Sequence, residues 1–231
     1  MQIVERSVLG VRAARHILKS PDNEVSVTLF PMIHIGQESF YRQVYDDALQ
    51  HDVVLVEGVR SPVTRLITSS YRWIDKAKLG MIVQPRLKDA VDGGPRIVHA
   101  DLSADEFHRH WAELPFWLKI AVGICAPLMG VHRRFFATRE SLAKAMEMED
   151  LLSSDEILGF DPRFAALRRT ILYVRDQRLI EKLGEELDRL PDRPRKIAVI
   201  YGAAHMRAVL AELRRRNFRT AGATWQMVMA F

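Results

Sequence analysis

Four side chains capable of acid–base or metal chemistry stand directly after short apolar runs. His34 follows Val25–Phe30 through Pro31-Met32-Ile33, and Glu57 ends Asp52–Glu57 (DVVLVE). Asp101 follows Arg96–Ala100, and His205 follows Lys196–Tyr201 through Gly202-Ala203-Ala204. Two imidazoles and one carboxylate, here His34, His205 and Glu57, are a common donor set for a catalytic divalent metal that keeps positions open for water and substrate. Such an ion lowers the pKa of its water and makes hydroxide available near neutral pH. In a second arrangement only the two histidines bind metal and Glu57 is the general base. Asp101 is a further candidate. Arg175 could neutralise a developing oxyanion or hold a substrate carboxylate, with Asp176 adjacent in a supporting role. Each residue also has a structural alternative: a hydrogen-bonded histidine, a glutamate capping the next helix, an Arg175–Asp176 ion pair. His108 and His110 lie two apart, which on a helix points them to different faces and argues against a shared metal.

These side chains can meet only if the runs before them are parallel strands of one sheet, ending at a common rim. In open α/β sheets ligands collect at that edge. Uncharged apolar runs of this length read as buried strands. Each histidine is followed by a helical pattern: Phe40, Tyr41, Val44, Tyr45 and Leu49 within Glu38–Gln50, and Met206, Val209, Leu210 and Leu213 after His205. Ser20-Pro21-Asp22-Asn23, between Arg15–Lys19 and Glu24–Phe30, is turn chemistry and predicts a β-hairpin. Thr64–Lys78 has helical spacing, Met81–Val91 fits neither period, and Ser103 with Glu106 forms a capping box. From Ala104 to Leu190 no strand pattern is evident. Within it Asp161-Pro162 opens a long helix to Leu190, with Phe164, Leu167, Ile171, Leu179, Leu183, Leu187 and Leu190 as its apolar stripe. Arg175 sits in that stripe, so it must be paired or reach a polar cavity. Phe218–Phe231 reads as a closing strand or hairpin. The expected fold is α/β in one domain, 1–231: a central, mostly parallel sheet, an N-terminal β-hairpin, and a helical insertion over 104–190 covering the strand edge.

The chain has 231 residues, 48% apolar and 27% charged, which suits a soluble domain with its own core. The single Cys125 excludes an intramolecular disulfide, and the first residues lack an apolar leader core, so a cytoplasmic location is expected. The net charge of +5 is scattered in short clusters without aromatic interleaving, which argues against nucleic acid. An anionic substrate or membrane surface stays open. Ile120–Val131 is uncharged and apolar, but Lys119 and Pro127 interrupt the longer stretch. It is expected to be a buried core or interface helix, with peripheral membrane contact through 115–131 and self-association as open alternatives.

VTLFPMIHIGQESF, VVLVEGV and IAVIYGAAHMRAVLAELRRRNFR together resemble the TraB/PrgY/GumN group, which includes the Tiki proteins. That group shows a GxxH motif after a hairpin, a Glu ending the next strand, and a second GxxH motif near the C-terminus. Its Arg-Asn or Arg-Asp pair before the second motif matches Arg175-Asp176, and VHADLSADEFHRHW is similar to the middle of TraB-type sequences. The resemblance spans about Ile17 to Phe218. It implies a metal-dependent hydrolase, foremost a peptidase, using manganese or cobalt, with zinc as an alternative, bound by His34, His205 and Glu57. It equally admits a non-catalytic peptide or small-ligand binding protein of the pheromone-shutdown type. Relatives of the group, the ChaN-like and erythromycin-esterase-like proteins, widen the chemistry to ester hydrolysis and ligand binding. The first motif departs from the pattern, with Pro31 where the group has Gly. If that turn needs a positive φ, proline would displace His34.

Overall fold

A computed structural model describes residues 1–22, 24–87, 93–144, 146, 148–149, 162–189 and 194–231. Its strands are β1 (Gln2–Ser7), β2 (Gly10–Lys19), β3 (Val25–Met32), β4 (Ile35–Gly36), β5 (Val53–Val56), β6 (Ile82–Val83), β7 (Arg96–His99), β8 (Met148–Glu149), β9 (Arg195–Gly202) and β10 (Arg219–Ala230). The helices are α1 (Glu38–Ala48), α2 (Pro62–Ile67), α3 (Ser69–Arg72), α4 (Lys76–Leu79), α5 (Ala104–Ala112), α6 (Phe116–Phe136), α7 (Arg139–Lys144), α8 (Ala165–Arg168), α9 (Val174–Leu187) and α10 (Met206–Arg215).

The strands that carry the candidate residues are neighbours in the order β7-β5-β9-β3. All three pairings among them are parallel. Their carboxyl ends therefore form one rim. The β5 run VVLV is buried throughout, as are Ile197–Tyr201 of β9. Strands covered on both faces read as continuous apolar runs, which is why these were legible. Beyond β3 the sheet turns antiparallel: β2 pairs with β3, β1 and β10. The expected α/β architecture, with a mostly parallel central sheet and an N-terminal hairpin, is the one that forms. The hairpin pairs β2 with β3, with His16 opposite Leu29.

Some elements differ from expectation. β1 extends the hairpin to a third strand, and β8, inside the 104–190 segment, adds a short pairing to β1. Thr64–Lys78 breaks into α2, α3 and α4, with Thr68 closing one helix and opening the next. In Met81–Val91, Ile82 and Val83 pair with β4, while 88–91 lie outside the described residues. The expected helix limits Asp161 and Leu190 also lie outside them. α6 is not a core helix. Only Leu118 and Gly130 are buried, and Ile120, Ile124 and Leu128 stand 46%, 55% and 61% exposed. The helix rests on α3 through one narrow side, where Gly130 meets the Trp73 ring. Beyond that side, Trp117 meets the Phe164 ring edge-on at 5.9 Å, and Ile120, Ile124, Leu128 and Phe135 stay largely exposed. Among the described residues no single helix is long and apolar enough to cross a membrane.

Candidate active site

Parallel register brings Glu57, one residue past β5, beside Gly202, the last residue of β9. The Gly202 N–H donates to Glu57 Oε2 at 2.6 Å. A Cβ on Gly202 would lie 3.1 Å from that oxygen, so this is a close approach that glycine permits. The other oxygen, Oε1, accepts from Arg175 Nη2 at 2.5 Å. Arg175 also grips Asp101, with Nε to Oδ1 at 3.0 Å and Nη2 to Oδ2 at 2.7 Å. Asp101 is fixed in turn by the N–H groups of Gly58 and Leu102. The guanidinium, 11% exposed, thus meets two carboxylates, and paired burial is the arrangement a charge at this depth requires. Arg175 lies two residues past a π-helical turn at Arg169–Tyr173, whose Ile171 carbonyl accepts from Nη1 at 3.4 Å. Such turns re-aim side chains and recur at functional sites.

His205 is buried behind this group. Its Nδ1 lies 2.7 Å from Asp176 Oδ1, and its ring meets Tyr201 edge-on at 4.8 Å. When Nδ1 carries the proton, Asp176 accepts it and Nε2 becomes the acceptor nitrogen. His34 lies just past β3. Its carbonyl accepts from Gln84 N–H at 2.9 Å, and the neighbouring Ile33 carbonyl accepts from Tyr41 Oη at 2.8 Å. Its ring sits 5.2 Å from that of Tyr71 and opens to solvent. With Pro31 in place, His34 lines the rim cavity with Glu57 and Arg175. Pro31 lies within β3 opposite Tyr201, beyond Leu29 where pairing with β2 stops, so its missing N–H costs no bond to β2. Positive φ among the described residues occurs only at Gly10, Gly80, Gly93 and Asn217.

A cavity of about 340 Å³ opens on this rim, with His34, Glu57 and Arg175 in its wall beside Val56, Ile171 and Ile200. A shallower hollow by Pro21, Arg214 and Phe218 holds none of the candidate residues. Burial lowers the His34 pKa below its ordinary value of 6.5, against the opposing pull of Glu57 and with further lowering from Arg175 and His205. Burial alone would raise the Glu57 pKa, but Arg175, His205 and His34 outweigh it and bring it to about 2. Arg175 is held above its ordinary value: burial opposes this, and Glu57 and Asp101 more than offset it.

The expected metal donors share this rim but do not close into a set. Glu57 commits both oxygens to Arg175 and Gly202. Among the described residues no three of His, Cys, Asp and Glu stand as a metal-binding group. The His205–Asp176 pair alone has the carboxylate–histidine form that orients a ligating imidazole. Two participants escaped sequence reading: Tyr71 beside His34, and the Gly202 N–H on Glu57. A clue to the second was the glycine ending an apolar run. Comparison with family models, curated proteins and solved structures finds no match.

Proposed function

We propose that this rim is the active site of a hydrolase acting on an amide, foremost a peptide bond, or a related carbonyl compound. One observation carries the reading: the His34 imidazole, its pKa lowered from the ordinary value, opens into a cavity whose wall also presents the Arg175 guanidinium. His34 takes a proton from water, and the resulting hydroxide attacks the carbonyl carbon. Of the five N–H groups of Arg175, four are engaged by Glu57, Asp101 and Ile171. The fifth, on Nη1, has no acceptor among the described residues and is assigned to the oxygen that gains charge. The protonated His34 then returns its proton to the leaving nitrogen. Glu57, ionised and bound to Arg175, is a positioning residue in this scheme and not the base. Asp176 holds His205 in one tautomer. The resemblance to the TraB/PrgY/GumN group supports the same positions. The manganese or cobalt it implies would need Glu57 to release Arg175, so no step here is routed through a metal.

The test is hydrolysis of a fluorogenic peptide and ester panel, with and without EDTA or added manganese. His34→Ala is expected to lower kcat/KM by about 10²- to 10⁴-fold. Full activity in His34→Ala, or no turnover across the panel, overturns the proposal. A second reading, non-catalytic binding of a peptide or small ligand, is favoured by the commitment of both Glu57 oxygens and both Asp101 oxygens inside the protein. Binding that survives chelator and His34→Ala, without turnover, would select it.

A further inference from the structure

We propose that the ligand of this cavity is an acidic peptide, its carboxylate side chains held by arginines at the mouth. This rests on the reading of the rim as a peptide site and adds its charge preference. Arg60, Arg65, Arg72 and Arg86 all line the cavity and all are exposed. The single carboxylate in the lining, Glu57, is already neutralised by Arg175. Among the described residues none of the four has an acidic partner. Elsewhere this protein pairs its arginines readily: Arg12 with Glu5, Arg15 with Asp47, Arg195 with Glu186, Arg216 with Asp188. Four guanidinium groups around one opening, without an acidic partner among the described residues, therefore form a local excess of positive charge.

All four come from the chain between β5 and β7, and that chain is anchored. Ser61 and Thr64 form a capping box, Ser61 Oγ meets His108 Nε2 at 3.1 Å, and Tyr45 Oη donates to the Pro85 carbonyl at 2.5 Å. The arginines are thus carried on a held backbone. Guanidinium groups match carboxylates in planar, two-point contacts. The lining also offers apolar side chains, among them Ile67, Ile171 and the buried Phe107. A peptide with an apolar centre and acidic flanks satisfies both zones, whereas a small inorganic anion satisfies only the mouth.

The experiment uses fluorescence anisotropy with the full chain and two labelled peptides. One is glutamate-rich with a leucine pair at its centre; the other replaces each glutamate with glutamine. The acidic probe is expected to bind about tenfold tighter or more at low salt, its advantage shrinking as ionic strength rises. Arg65→Gln, Arg72→Gln and Arg86→Gln should each weaken the acidic probe by about two- to fivefold and leave the glutamine probe unchanged. Equal binding of the two probes, or a preference untouched by these variants, overturns the inference. Displacement of the acidic probe by equimolar pyrophosphate overturns it in favour of a phosphate ligand. If neither peptide is hydrolysed yet the preference holds, only the hydrolase reading falls. If both are hydrolysed alike, only this inference falls.

Discussion

Arg175 is affordable at its depth because two carboxylates face it, and Glu57 records the consequence in its titration. Its pKa falls from 4.5 to about 2 on folding. The folded protein therefore binds fewer protons than the unfolded chain between those values. The stabilisation is fully present above about pH 4.5 and is lost as pH falls toward 2, at most about 3 kcal/mol by linkage. Urea unfolding at stepped pH should show this loss in the native chain, and Glu57→Gln should flatten it; parallel curves for the two would refute the assignment. His34 gives the kinetic counterpart. Its pKa is lowered from 6.5, so kcat/KM should rise with pH and reach its plateau below the range of an ordinary histidine. A midpoint at or above 6.5 would remove His34 as the base. The positions of His34, Glu57 and His205 were legible because each is an early polar residue after a buried run, and that of Asp101 because it follows a short strand that is only half-buried. Which contacts they make was not, because the Arg175 fork and the Asp176–His205 contact depend on distances between elements far apart in the chain.

Elements were legible where a local rule dominates. The β2–β3 turn has its own chemistry, and the capping box at Ser103 and Glu106 forms with both hydrogen bonds. They were obscure where tertiary contact decides. β1 carries Glu5 and Arg6 and becomes a strand because β2 offers it an edge. The apolar run in α6 signalled a helix but not that its flank would stay open. The turn between β1 and β2 depends on Gly10, which has φ +138°, a conformation that L side chains rarely adopt. A Cβ there would lie 2.1 Å from the Met229 carbonyl oxygen of β10. Gly10→Ala should therefore cost about 2 kcal/mol or more, through both strain and displacement of β10. Urea denaturation measures it, and a cost below about 0.5 kcal/mol would mean that the turn relaxes freely.

For the whole molecule, charge and apolar surface act together. Trp117, Ile120, Ile124, Leu128, Val131 and Phe135 recur every three or four residues on α6, and all are at least 42% exposed. The helix holds no Asp or Glu, carries Arg133 and Arg134 in its last turn, and belongs to a chain of net charge +5. Its 21 residues span about 31 Å, and a face about 10 Å wide offers roughly 300 Å². A stable dimer buries about 800 Å² per partner, so this strip is small for self-association alone. An anionic bilayer surface would suit the strip, with apolar side chains entering the headgroup boundary and the net positive charge of the chain adding attraction. The chain should float with vesicles containing phosphatidylserine, less as salt rises, and Ile124→Asp should cut the bound fraction several-fold. Equal flotation of the two chains, or none of either, would sink the membrane reading. A dimer in sedimentation velocity that Ile124→Asp dissolves would assign the strip to a second copy instead.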